Sequence, residues 1–206
     1  MKPATYLSGL IALGLLSLSS ITHAEYTGPA LKFKLAHTAP PGNHITGAYQ
    51  KFAELVAEKS DKKIQVQVFP NAVLGSDRVL VEGAQRGSLE IGVSSTPNLA
   101  NFSNQFQVFD LPYITSPEKQ EQLYEAMNPG GSLHTYFEGV ANKIGLHPIM
   151  YAEYGYRHFV SANKPLNKAA DLAGLKMRTT DSPVEVEVAK ALQTNPAPIA
   201  WGEGYT

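Results

Sequence analysis

The chain has 206 residues, 43% of them hydrophobic and 17% charged, with 17 basic and 18 acidic side chains and a formal net charge of −1. A nearly neutral chain without basic clusters argues against nucleic acid or an anionic membrane surface as a partner, and the length suits one good core with part of another. There is no cysteine, which excludes disulfides, a cysteine nucleophile and a lipid anchor on cysteine.

The front of the chain reads as an export signal. Lys2 gives a short basic start, and Leu7 to Leu18 is apolar with breaks at Ser8, Gly9, Gly14 and Ser17. Thr22-His23-Ala24 then offers small residues for cleavage before Glu25. A membrane anchor would need about 20 continuous apolar residues, and this run dissolves at Ser19-Ser20. Residues 1–24 are therefore expected to be removed after Ala24, leaving a periplasmic protein.

The mature chain alternates strand and helix patterns. Leu31, Phe33 and Leu35 alternate with Lys32, Lys34 and Ala36, a strand with one buried face. The turn-rich loop His37 to His44 leads into a helix with Tyr49, Phe52, Leu55 and Val56 at helical spacing, ending near Ser60-Asp61. Ile64, Val66 and Val68 mark a second strand, closed by Pro70-Asn71. Ser76 caps a helix carrying Val79, Leu80 and Ala84 that stops at Gly87, and Leu89 to Val93 gives a third strand running into Ser94-Ser95-Thr96. Strands separated by helices imply crossovers onto a mostly parallel sheet, an α/β fold.

Further on, Phe106 to Leu111 is expected as a short strand, and Pro117 to Met127 and Ser132 to Ile144 as helices. Pro148 to Tyr154 begins an extended run continuing to Val160, where the chain is expected to cross from a first lobe (25–150) to a hinge strand and second lobe (151–206). Leu175 to Arg178 is a short strand. Ser182-Pro183-Val184-Glu185 then starts a helix twice over, with a capping box and a proline at the first helical position. Asn195 to Pro198 is extended, because each residue before a proline leaves the helical region, and it delivers Trp201.

Ligands of open parallel sheets sit beyond the carboxyl ends of the strands. Those ends here are His37, Pro70 to Ser76, Ser94 to Thr96, and Arg178 beside its helix cap. A guanidinium fork next to exposed helical N–H groups suits a carboxylate. Trp201 could line the same cleft as a flat apolar wall. The bland alternatives are a surface cation at Arg178, a hinge salt bridge at Arg157, a core tryptophan at Trp201, and an Asp77 that merely complements its helix dipole.

The ordered motifs AHTAPPGNH, IQVQVFPNAVLGSDR, RGSLEIGVSS, QVFDLPY, YGYRHFVSANKPL, DLAGLKMRTT and NPAPIAWGEGYT resemble the extracytoplasmic solute-binding subunit of tripartite ATP-independent periplasmic (TRAP) transporters, the dicarboxylate-binding family. The resemblance runs from Leu31 to the last residue. It implies a periplasmic-binding-protein-like, two-lobed clamshell that captures a small organic acid and hands it to an ion-driven TRAP permease. The family's carboxylate-gripping arginine falls on Arg178, an assisting arginine on Arg157, and the aromatic that packs on the ligand's carbon skeleton on Trp201. Facing contacts fall on His37, Asp77, Ser94 and Ser95, with Asp181 lining the ligand beside the principal arginine. The family pattern normally continues past the WGE motif, and Gly204 replaces a bulkier residue. The chain therefore reads as a truncated form with an incomplete second lobe, expected to bind ligand poorly on its own.

No nucleophile elbow, phosphate loop or dinucleotide fingerprint is present, and His134, His147 and His158 have no metal-ligand spacing. A binding protein without a cofactor or metal is expected rather than an enzyme. A ligand-binding sensory domain for a membrane receptor is the alternative built on the same clamshell.

Overall fold

A computed structural model describes residues 26–162 and 164–204. The expected leader, residues 1–24, and its cleavage point lie outside the described residues.

The first sheet consists of β1 (Leu31–Ala36), β2 (Ile64–Phe69) and β3 (Ile91–Gly92), in the order β2-β1-β3 with both pairings parallel. Its register runs from Leu31 opposite Ile64 to Ala36 opposite Phe69, while Leu35 and Ala36 face Ile91 and Gly92. Parallel neighbours cannot be joined by a tight turn, so each crossing carries a helix: α1 (His44–Lys59), then α2 (Asp77–Gln85). Asn43 starts α1, its side chain accepting a hydrogen bond from the Ile45 N–H at 3.0 Å. Ile45, Tyr49 and Phe52 pack on Leu35 and Val66, whereas Leu55, expected on that face, is exposed.

α2 covers the opposite side of the sheet, where Leu80 and Leu89 meet Ala36 and Phe69. A Cβ on Gly92 would lie 2.6 Å from the Leu80 carbonyl oxygen, so only glycine lets α2 come this close to β3. The third strand is shorter than expected. Leu89 turns into the core instead of pairing, and Val93, just past the strand, donates its N–H to Ala36 O at 3.0 Å.

A second core lies under α3 (Thr96–Leu99), α4 (Gln120–Met127) and α5 (Ser132–Lys143). Phe106, Phe137, Val140 and Ala141 form its centre. The strand expected from Phe106 to Leu111 is instead a 3₁₀ helix, Asn104–Asp110. Its tight turn puts Phe106 and Phe109 on one side, with ring centroids 5.3 Å and 5.0 Å from that of Phe137. The helix expected to begin at Pro117 opens with a 3₁₀ turn, Pro117–Lys119, before α4.

The strand expected from Pro148 to Val160 does not form, because no described strand lies alongside to pair with it. Gln120 and Tyr124 of α4 hold this segment through the Glu153 carboxylate.

β4 (Lys176–Thr179), α6 (Pro183–Ala191) and β5 (Asn195–Pro198) then make a separate parallel βαβ unit. Lys176 faces Asn195 and Thr179 faces Pro198. The Asn195 N–H donates to Leu175 O at 2.8 Å, and the Ile199 N–H to Thr179 O at 3.2 Å. Odd-numbered residues of β5 thus turn their amides toward β4, and Pro196 and Pro198, which have none, take the outward positions.

Candidate functional site

β4 ends on Arg178 and Thr179. Arg178 is half-buried, and its Nε donates to the Ile199 carbonyl oxygen at 2.8 Å, so β5 fixes the plane of the guanidinium. The same strand leads into the 3₁₀ turn Trp201–Glu203, which places the indole ring 5.8 Å from the guanidinium carbon. At that distance a cation and an aromatic face attract each other. Burial, followed by the nearby Arg157 guanidinium, lowers the Arg178 pKa, while Glu185, Asp77 and Asp181 act in the opposite direction.

The first sheet supplies the facing wall. The turn after β2 delivers Ser76 and Asp77 at the start of α2, and α3 with its following turn delivers Asn98, Asn101 and Phe102. With Arg178, Thr180, Asp181 and Trp201 opposite, these line an open cleft. The Asn101 amide donates across it to the Asp181 backbone oxygen at 3.2 Å. Burial raises the Asp77 pKa, and hydrogen bonds from its own backbone, Thr38 and Asn98 work against that rise. Thr38 Oγ1 lies 3.5 Å from Asp77 Oδ1.

The other expected residues lie around the cleft without lining it. His37 is buried at the end of β1, its ring 4.9 Å from Tyr49, and neither ring nitrogen has a hydrogen-bond partner among the described residues. Burial lowers its pKa, favouring the neutral imidazole. The His44 ring lies 5.8 Å from that of Tyr154, tilted against it. Ser94 turns its hydroxyl to the Ser95 carbonyl, and Ser95 Oγ accepts from the Asn98 amide at 3.1 Å, one step behind the wall.

Arg157 is held by Glu185, with Nη1 2.6 Å from Oε1. Glu185 is expected to close a capping box on Ser182, and only half of that box forms. Ser182 Oγ accepts from the Glu185 N–H at 3.5 Å, but the Glu185 carboxylate reaches further back, to the Thr180 N–H at 2.9 Å and the Thr180 hydroxyl at 2.7 Å. Ser182, fully buried, also donates its hydroxyl to Asp110 Oδ2 at 2.5 Å, tying α6 to the 3₁₀ helix of the second core. Burial first, and then the Glu185 carboxylate, push the Asp110 pKa up to about 6.

Sequence reasoning missed Asn98, Asn101 and Thr180 in the cleft wall, and Asp110 behind it. Nothing local marks the first two, because asparagines after a strand end read as ordinary turn residues. Among the described residues no group of three or more His, Asp or Glu side chains is arranged to hold a metal ion.

A family model described as bacterial extracellular solute-binding protein, family 7 (DctP), matches residues 35–206. The chain belongs to this family. A 2,3-diketo-L-gulonate-binding periplasmic protein of Escherichia coli, YiaO, is 27% identical over 195 residues, covering 95% of this chain and 58% of the relative. The sugar acid binding protein DctPAm of Advenella mimigardefordensis, solved with galactonate, superposes with a TM-score of 0.79 at 28% identity, covering 86% of this chain and 56% of that one. A TRAP periplasmic solute binding protein of Sulfurospirillum deleyianum, solved with succinate, gives a TM-score of 0.78 at 27% identity with the same coverage, 86% and 56%. The chain thus spans between half and two thirds of the length of these DctP relatives. Its α/β fold is that of the two-lobed TRAP solute-binding proteins, and the DctP family consists of solute-binding transport proteins. No helix among the described residues is long and apolar enough to cross a membrane.

Proposed function

We propose that the whole protein binds a small organic acid outside the cytoplasm and delivers it to an ion-driven TRAP permease, with no catalytic step. The observation that carries this reading is the placement of Arg178: half-buried, oriented by the Ile199 carbonyl and backed by Trp201 5.8 Å away, it opens onto a cleft whose far wall is Asp77, Asn98 and Asn101. A planar guanidinium fixed at one nitrogen leaves its remaining donors for a carboxylate in one geometry. The relatives solved with galactonate and succinate carry ligands of that chemistry.

Residues 25–150 act as the first lobe and those from 151 onward as the second, with the cleft between the β2–α2 and α3 turns on one side and the β4 and β5 ends on the other. The ligand stabilises the closed arrangement by the contacts it makes to both walls. Residues 1–24 act as an export signal cleaved after Ala24, which mass spectrometry of the secreted protein tests directly. Calorimetric titration of the whole protein with a panel of carboxylates tests the main reading. Saturable binding of at least one acid is expected, and no heat from any of them would refute it.

A further inference from the structure

We infer that the contact between Asp110 and Ser182 is a proton-dependent latch between the two lobes: closing takes up a proton at Asp110, so the whole protein holds a carboxylate ligand more tightly in mild acid than at neutral pH. The inference rests on the reading of a carboxylate cleft between two lobes and adds how its closure is regulated.

Two consecutive residues just past Arg178 are gripped from the first lobe. The Asn101 amide donates to the Asp181 backbone oxygen at 3.2 Å, and Asp110 Oδ2 accepts from the Ser182 hydroxyl at 2.5 Å. Ser182 is fully buried, and its oxygen caps α6 by accepting from the Glu185 N–H at 3.5 Å. The one proton of that hydroxyl is therefore committed to Asp110. Arg178 on β4 and Ser182 at the start of α6 are joined by three residues of chain. A movement that draws Arg178 away from the facing wall thus also lifts Ser182 and α6 from Asp110.

The groups around Asp110 divide by lobe. On its own side, Asp110 is the sole titratable residue of its 3₁₀ helix, α3 brings none, and α5 packs that helix with Phe137, Val140 and Ala141. The charges beside it come from the second lobe: the Glu185 carboxylate of α6 and the Arg157 guanidinium, 2.6 Å from each other. Closure takes the Asp110 carboxylate out of water, brings a second carboxylate near it, and offers one neutral hydroxyl in return. A single donor of that kind does not repay the lost hydration of an anion. A neutral carboxyl keeps the hydroxyl contact and is spared the repulsion.

The sign follows. Burial raises the Asp110 pKa to about 6, the Ser182 hydroxyl works against that rise, Glu185 adds to it and Arg157 opposes it. Opening returns the group toward the ordinary value of 3.8. The closed form then holds a proton that the open form has released. Its advantage is full below the ordinary value and is lost as pH rises through about 6.

The test titrates the whole protein by calorimetry with galactonate, glucuronate and orotate, acids that stay ionised across the range. Binding about tenfold tighter at about pH 5 than at about pH 7.5 is expected of the wild type. Near a pH of about 6, titration in two buffers of different ionisation heat should show about half a proton taken up on binding. Asp110→Asn, which keeps a neutral acceptor for Ser182, should abolish that uptake and bind at about pH 7.5 as tightly as the wild type does at about pH 5. Asp77, which lines the cleft and has a raised pKa of its own, contributes to both proteins alike and cancels in the comparison. Saturable binding with the same uptake and the same pH profile in both proteins overturns the latch and leaves the carboxylate reading standing. Should the variant not fold, the wild type decides alone, and binding without proton uptake overturns the latch. Heat from none of the three acids at either pH overturns both readings.

Discussion

The Arg157 guanidinium lies 2.6 Å from the Glu185 carboxylate, which also accepts from the Thr180 N–H, and so serves the chain before it serves any ligand. Arg157 is 59% exposed and Glu185 only 15%, so removing the arginine strips a partner from a mostly buried anion. Thr180 still holds that anion through two hydrogen bonds. Arg157→Ala is therefore expected to lower stability by about 1 kcal/mol, between the values for exposed and buried pairs. Carboxylate affinity should change less than about threefold. Urea melts and calorimetry on the same sample check both halves; a collapse of binding with unchanged stability would place Arg157 on the ligand instead.

Arg178→Lys keeps the charge and loses the fork. The lysine cannot both donate to Ile199 O, as Nε does at 2.8 Å, and present two parallel donors to a carboxylate. A loss of at least about tenfold in carboxylate affinity is expected. Equal affinity of the two forms would show that charge alone suffices.

Asp110 gives a pH dependence with a definite sign. Its pKa is raised from 3.8 to about 6, first by burial and then by the Glu185 carboxylate, with Arg157 and the Ser182 hydrogen bond opposing. The folded state therefore holds this proton when the unfolded chain has released it. The stabilisation is full below the unfolded value and is lost as pH rises through about 6. Thermal melts of the wild type between pH 4 and 8, with the profile of Asp110→Asn subtracted, should show a component that falls across this window. Parallel profiles for the two proteins would contradict it.

Phe137 is 2% exposed, packed by Phe106 and Phe109. Phe137→Ala empties the centre of the second core and should cost about 3–5 kcal/mol, read from chemical denaturation. Because the α3 turn that carries Asn98 and Asn101 rests on this core through Leu99, ligand affinity should fall as well.

Which parts were legible in the sequence follows from where local and long-range forces agree. In β1 and β2 the apolar alternation, the caps and the turn residues all point the same way, and the elements form within a residue of expectation. Phe106 to Leu111 is a short apolar run that fits either a strand or a tight helical turn; the choice is made by Phe137, thirty positions away, which both phenylalanines must reach. The run from Pro148 to Val160 has strand composition and no described neighbour, and a ladder cannot be inferred from one strand. In the site, Arg178 and Trp201 were readable because they stand at element ends next to proline and capping signals. Asn98, Asn101 and Asp110 were not, since polar residues on short helices look like ordinary surface until the opposite wall is in place. The capping box at Ser182 was half right because Thr180 competes for the Glu185 carboxylate, a preference that sequence spacing does not encode.

The two prolines of β5 have an architectural consequence. With Pro196 and Pro198 at the outward positions, that border of the sheet offers carbonyls and no amide hydrogens, so a further strand arriving there would find half of its hydrogen bonds missing. Growth of this small sheet is directed to the opposite border, alongside β4, which puts any added strand beside the backbone that carries Arg178.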